Sequence, residues 1–383
     1  MAFLRNRDVN LLSLHYAFQA LAQGSGGVFL LVYLLKSGLS VKETILALAA
    51  TIILRLVARR GVTPFAMRWG LRTTLMAGCL VMAAQYPLSA AIDGIGWGLV
   101  ARCLATGVGE AFYWTSFHAY FASVGDSEHR GHQIGAREAL AAGIGILAPL
   151  FGAWALMNLG AGAAFAAIGG IQALGIVPLL RAPSVDVVKD APGMREAARL
   201  GGLIYLANGW FATSFVLVWQ VALFLSLSGS LSAYGGTMAI AAIAGGAGGL
   251  MLGKLLDGGY GARATVIIFA GIALAVVFRA SSLGVPELAV IANAVGAFAI
   301  CFYVPAINTP VYNLAKASPC SLRFHVATED NWDRGALAAC ATSVILLSLG
   351  AGLSSLILLA LASCIAHALL LRRYYRTQSV PQA

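Results

Sequence analysis

Long apolar stretches follow one another along nearly the whole chain with short polar breaks between them, each about as long as a helix needs to cross a bilayer's hydrocarbon core. The approximate spans are 10–35, 41–60, 73–92, 95–122, 136–157, 161–181, 201–227, 232–256, 263–281, 286–313, 335–351 and 353–371. A helix bonds every backbone group within its own segment, so it is the form such stretches take in lipid. The pattern predicts an all-α polytopic membrane protein of about twelve transmembrane helices. Glycine-rich runs such as Ala241 to Gly253 make poor soluble helices, but in lipid they read as faces for close helix packing.

Composition excludes the soluble alternative. Of 383 residues, 60% are hydrophobic and only 10% are charged, against about 25% charged in soluble domains. The surfaces of two or three soluble domains would need charge that this chain lacks. Cys79, Cys103, Cys301, Cys320, Cys340 and Cys364 lie mostly inside apolar runs without a CxxC pair, and read as small buried residues rather than bridges or metal ligands. After the polar start Met1 to Asn10, the first apolar run is too long for a cleaved signal and has no A-x-A-like site, so that span is expected to be retained.

Charge then supplies orientation. When alternate loops are placed in the cytoplasm, beginning with the N-terminus, only Lys36, Lys42 and Arg279 of the 25 basic residues fall outside, and Arg102 lies within a span. Both termini are therefore expected in the cytoplasm, in a multi-pass protein of a cell membrane, of the bacterial inner-membrane kind. The net charge of +10 reports this asymmetry, so nucleic acid is not needed as a partner.

The longest hydrophilic segment within the bundle, Arg181 to Arg199, contains two prolines and falls near the midpoint. It reads as a linker over 182–200 between two six-helix halves, 1–181 and 201–383. Short stretches echo between the halves: Arg137-Glu-Ala-Leu-Ala-Ala142 with Arg334-Gly-Ala-Leu-Ala-Ala339, and Gly70-Leu-Arg-Thr-Thr74 with Gly261-Ala-Arg-Ala-Thr265. Parallel repeats of this kind belong to transporters with a binding site between the halves.

These features resemble the major facilitator superfamily along essentially the whole chain. Arg68-Trp-Gly70-Leu-Arg72 is similar to the basic half of the family's signature between helices 2 and 3, with Met67 at the aspartate position. Gly253-Lys-Leu-Leu-Asp257 keeps the glycine and aspartate of the equivalent loop between helices 8 and 9. Arg102-Cys-Leu-Ala-Thr106-Gly107-Val-Gly109 resembles the helix 4 pattern whose arginine is tied to proton coupling. Gly143-Ile-Gly145-Ile-Leu-Ala-Pro149-Leu-Phe-Gly152 resembles the helix 5 motif of exporters, with Ala148 for a glycine. The resemblance implies helices 1, 4, 7 and 10 around a central path, gating roles for Arg68, Arg72, Pro149 and Asp257, and efflux of a drug or metabolite.

Polar residues inside the membrane are the remaining candidates, because an ionisable group at mid-bilayer costs about 2.5–3.5 kcal/mol on insertion scales and normally faces the bundle interior. Glu110 is the acid expected deepest. Arg102 is eight residues away, about 12 Å of rise and 80° of rotation, and leans the other way, which argues against a direct pair. Without another cation, Glu110 is able to exchange a proton near neutral pH; the alternative is a carboxyl held by neighbouring donors for packing. His15, Gln19 and Gln23 recur every fourth residue on helix 1, and Thr106, Glu110, Trp114 and His118 do so on helix 4, so each set shares one face. Tyr113, Asn208, Trp210, Trp219, Gln220, Asn293, Tyr303 and Asn308 complete the substrate-site candidates. The bland reading for each is an interfacial histidine, an aromatic belt residue or an amide joining helices. Pro305 and Pro310 free carbonyls in helix 10 and suit a bending helix.

The charged stretch Arg323 to Arg334 reads as a solvated loop, or as one that closes the cytoplasmic mouth through Arg130 or Arg137. His129 and His132 with Asp126 and Glu128 match no zinc spacing, and no cofactor is expected. A Gly-x-Ser-x-Gly elbow, a Walker lysine and a paired catalytic aspartate are all missing, so the chain does not read as an enzyme. The expectation is a monomeric secondary transporter that couples movement of a small organic solute to protons, most consistent with efflux. Uptake or facilitated transport by the same fold, and a receptor or scaffold that moves nothing, are the alternatives.

Overall fold

The computed structural model describes residues 6–124, 130–185, 187–256 and 261–378, and the described residues form helices and no strand. Helix α1 (Arg7–Ser25) starts behind Asn6, whose side-chain carbonyl accepts the free N–H groups of Asp8 and Val9. It passes through a 3-10 turn at Gly27–Phe29 into α2 (Leu30–Lys36). Helix α3 (Val41–Ala58) opens on a capping box between Ser40 and Glu43. Helix α4 (Val62–Ala83) is interrupted at Gly70, where φ 77° and ψ 162° turn the chain in a way that glycine permits.

There follow α5 (Gln85–Ala90), α6 (Trp97–Val124), α7 (Arg130–Asn158), α8 (Gly160–Leu174) and α9 (Ile176–Leu179). After the short α10 (Met194–Ala197) come α11 (Arg199–Phe211) and α12 (Val218–Ser226), joined by a π-helical turn at Ala212–Leu217. The rest are α13 (Leu231–Leu256), α14 (Gly261–Ser281), α15 (Pro286–Ala317), α16 (Ser321–Ser348), α17 (Leu353–Leu358) and α18 (Ala360–Gln378).

Among the described residues, five helical segments are long and apolar enough to cross a membrane: Arg7–Lys36, Gly160–Leu179, Arg199–Ser226, Pro286–Ala317 and Leu353–Arg376. Helices α3, α6 and α16 carry ionisable residues instead. The stretch Arg323 to Arg334 is not a loop: it forms the first turns of α16, which begins well before the expected span at 335. Its acids lie three and four residues apart on a face that meets arginines of α3, and this pairing allows a polar segment to be buried as helix. The side chains of Arg130 and Arg137 lie outside the described residues.

Small residues bring α11 and α16 into backbone contact. A Cβ on Gly209 of α11 would collide with the Trp332 carbonyl, and one on Gly335 of α16 with the Leu206 carbonyl, so the two backbones touch. This fixes the register of α16, and with it the carboxylates that α16 presents to α3. The other end of α3 is sealed differently. Leu31, Val41, Thr44, Ile45, Leu48, Leu217, Val218, Val221 and Leu353 close around a void of 10 Å³. Nearby, Tyr234 of α13 packs edge-on to Phe29 and donates to the Val28 carbonyl.

Gly335→Ala is expected to cost about 1–3 kcal/mol through overpacking. It should lower the Tm of the detergent-solubilised protein, whereas Gly170→Ala, which faces open space, should leave it unchanged.

Candidate functional site

Arg55, in the last turn of α3, and Arg59, which opens the 3-10 turn Arg59–Gly61 directly after it, stand one turn apart and share a face. Both are buried, Arg59 with 1% of its surface exposed, and both turn toward the fully buried Asp333 of α16. Arg55 Nε donates to Asp333 Oδ1 at 2.6 Å and its Nη2 reaches the same oxygen; Arg59 Nη1 takes Oδ2. One carboxylate thus serves two guanidinium groups.

The remaining contacts extend this knot over three helices. Arg55 Nη1 donates to Glu110 Oε2 of α6 at 2.9 Å, and its guanidinium lies 4.4 Å from the centre of the Trp332 ring. Arg59 donates to Asp330 Oδ1 at 3.2 Å and to the Thr115 hydroxyl at 3.3 Å, and its Nη2 is 3.8 Å from Glu329 Oε2. His118 Nε2 is 3.9 Å from the other oxygen of Glu329, its Nδ1 is 2.7 Å from the Tyr312 hydroxyl, and its ring stacks at 5.5 Å on the buried His325. Neither ring nitrogen of His325 has a hydrogen-bond partner.

The charge count is unequal. Among the described residues, Glu110, Glu329, Asp330 and Asp333 face two guanidinium groups. With every carboxyl ionised, the group holds two more negative than positive charges before the histidines are considered. In a poorly solvated setting such an excess is costly.

Other sequence-selected residues are placed as follows. His15 Nδ1 donates to the Gly175 carbonyl at 2.7 Å, and Gln19 accepts from Gln172, so both tie α1 to the α8–α9 region. Gln23 is exposed and lies over Gly27. Thr106 donates to Gln85 at 3.1 Å. Tyr113 is buried in a stack with Phe117 and His15, while Trp114 stacks on His118 at the edge of the charged knot. Asn208 accepts from Tyr303, Trp210 donates to the Leu359 carbonyl, and Trp219 donates to Asn293, which donates to the Thr237 carbonyl. Gln220 and Asn308 are half-buried.

Arg102 is buried and forms no ion pair with Glu110, as the helical rotation requires. Arg68 is exposed beside Trp69; Arg72 donates to the Ala182 carbonyl at 2.8 Å; Pro149 is buried within α7. Asp257, Asp126, Glu128, His129 and the side chain of His132 lie outside the described residues. Of the candidates, only Glu110, Trp114 and His118 come together with the knot. Arg55, Arg59, Tyr312, His325, Glu329, Asp330 and Asp333 were not among them. Two arginines one turn apart at the end of an apolar run, and Glu329 and Asp333 at the same spacing, were the available signal.

The sequence matches the family model of the Major Facilitator Superfamily over residues 12–319. No curated protein matches it. Solved structures do. A POT family transporter in complex with 5-aminolevulinic acid aligns at 11% identity and a TM-score of 0.71, over 97% of this chain and 96% of that one. The human organic anion transporter MFSD10 aligns at 13% identity and 0.68, over 95% and 99%. The transporter FucP in its outward conformation aligns at 12% and 0.67, over 97% and 98%. These similarities are similarities of fold.

Asp333→Asn is expected to leave two buried guanidinium groups short of their shared carboxylate and to cost about 3–5 kcal/mol. A large drop in Tm of the purified protein checks this, with exposed Asp190→Asn as the unchanged control.

Proposed function

Because the chain belongs to the Major Facilitator Superfamily, it is a membrane transporter, and we propose that it exports a small organic solute in exchange for protons by alternating access between halves 1–181 and 201–383. The observation that carries the coupling is the surplus of carboxyls in the buried knot: Glu110 is bonded to Arg55, and Arg55 also holds Asp333 of the other half. A proton on Glu110 removes one of the two charges that hold Arg55, and the grip on α16 weakens with it.

The two ends of the bundle support the rocking motion. One is closed by ion pairs, which depend on protonation; the other is closed by apolar contacts, which do not. The basic residues at the ion-paired end support placing that end and both termini in the cytoplasm of a bacterial cell. The likeness of the Gly143 to Gly152 segment to an exporter motif supports the outward direction.

In proteoliposomes with an acidic lumen, wild-type protein is expected to accumulate solute as protons leave. Glu110→Gln should remain folded and exchange solute down its gradient while losing the response to pH. Accumulation driven only by an alkaline lumen would mean symport, and an unchanged pH response in Glu110→Gln would remove the residue from the coupling path.

A further inference from the structure

Besides Arg102, one more buried arginine stands apart from the knot among the described residues. Arg279 lies in the last turn of α14, where an arginine ordinarily extends its head group to the nearby water. Here the residue is 4% exposed, and its guanidinium is held between aromatic rings, with Cζ 4.0 Å from the centre of Phe215 and 4.8 Å from that of Trp219. It packs so closely over Gly296 of α15 that a Cβ there would overlap it. Its Nη1 donates to the Phe215 carbonyl at 2.6 Å, and its Nε is buried without a partner. Among the described residues its ionisable neighbour is the Tyr234 phenol, and no carboxylate pairs with it.

The surroundings point to a ligand. Phe215 belongs to the π-helical turn between α11 and α12, a local widening that occurs often at functional sites. In the same turn the hydroxyls of Thr213 and Ser214 are buried and have no hydrogen-bond partner. Trp219 also donates to Asn293, one turn before Gly296 on α15. A guanidinium carries five donors in a planar fork suited to a carboxylate or phosphate. A desolvated one with a single carbonyl acceptor lacks the counter-charge that such a group normally finds.

We propose that Arg279 is the recognition point for an oxyanion, a carboxylate or phosphate group of the transported solute, received beside the π turn that joins α11 and α12, against α15. The inference rests on the transporter reading and narrows its substrate class to solutes carrying an acid group. Phe215 and Trp219, which hold Arg279, flank Leu217 and Val218 of the apolar seal along the chain, so that parting of this seal admits the solute and bound anion completes the donor fork.

The test measures binding to the full-length detergent-solubilised protein, without any pH gradient, using organic carboxylates, their amides, phosphate monoesters and inorganic phosphate. Thermal shifts and calorimetry are expected to show binding of an organic oxyanion and none of the matched amide. Arg279→Gln should weaken that binding by about tenfold or more, the loss of one charge-assisted pair, with Arg279→Lys in between. Asn293→Asp supplies an internal carboxylate on the same face of α15, and should keep the fold while abolishing the response. This variant decides the matter if Arg279→Gln does not fold. Equal binding of acid and amide, binding of inorganic phosphate alone, or unchanged affinity in Asn293→Asp would overturn the proposal. Acid binding without proton-driven flux would instead remove the coupling and keep the subsite.

Discussion

A guanidinium group taken out of water must find its counter-charge inside the protein, and that requirement organises one whole end of this bundle. Arg55 and Arg59 close the end of α3, and their demand is met by Asp333 from far along the chain. Removing charge from water costs several kcal/mol per ion, which the geometry repays only when each donor is satisfied. The helix α16 therefore remains helical through a stretch of acids and amides that, read alone, belongs in solvent. Its register is held on the opposite side by the glycine contact with α11.

In the proposed mechanism the same requirement makes the closed end conditional. Among the described residues four carboxyls surround two guanidinium groups, and the proposed coupling assigns the surplus charge to protons. Apolar packing at the other end of α3, around Leu31, Leu48 and Leu217, has no such dependence. A helix thus links an ion-paired closure to an apolar one about 16 Å away, the rise from Thr44 to Arg55. In the proposed alternating access, two closures of different chemistry on the same helices let only one of them answer to the coupling ion.

Much of the architecture was legible in the sequence. Apolar runs of membrane length and the scarcity of charge both led to an all-α membrane bundle. The helical geometry that separated Arg102 from Glu110 was also readable. The site was far less so. Counting basic residues as loop residues is sound for most of them, but it assigned Arg55, Arg59 and Arg279 to solvent, although their partners and ring contacts bury them. Glu110 was visible because an apolar helix surrounds it, whereas Asp333 was hidden in a charged stretch whose burial depends on a partner 278 positions away. Polar spacing on one helix likewise gave the shared face of His15 and Gln19, but not that this face is spent on Gly175 and Gln172. The π turn has no sequence signature of its own.

Distance measurement between spin labels addresses the conditional closure most directly. Labels replacing exposed Arg60 and Lys316, on the ion-paired end of α3 and of α15, would report its opening in a background with the native cysteines replaced. The account predicts a short, narrow distribution at neutral pH that shifts to longer distances on acidification, and already at neutral pH in Asp333→Asn. A distribution that stays the same across pH and in that variant would contradict it.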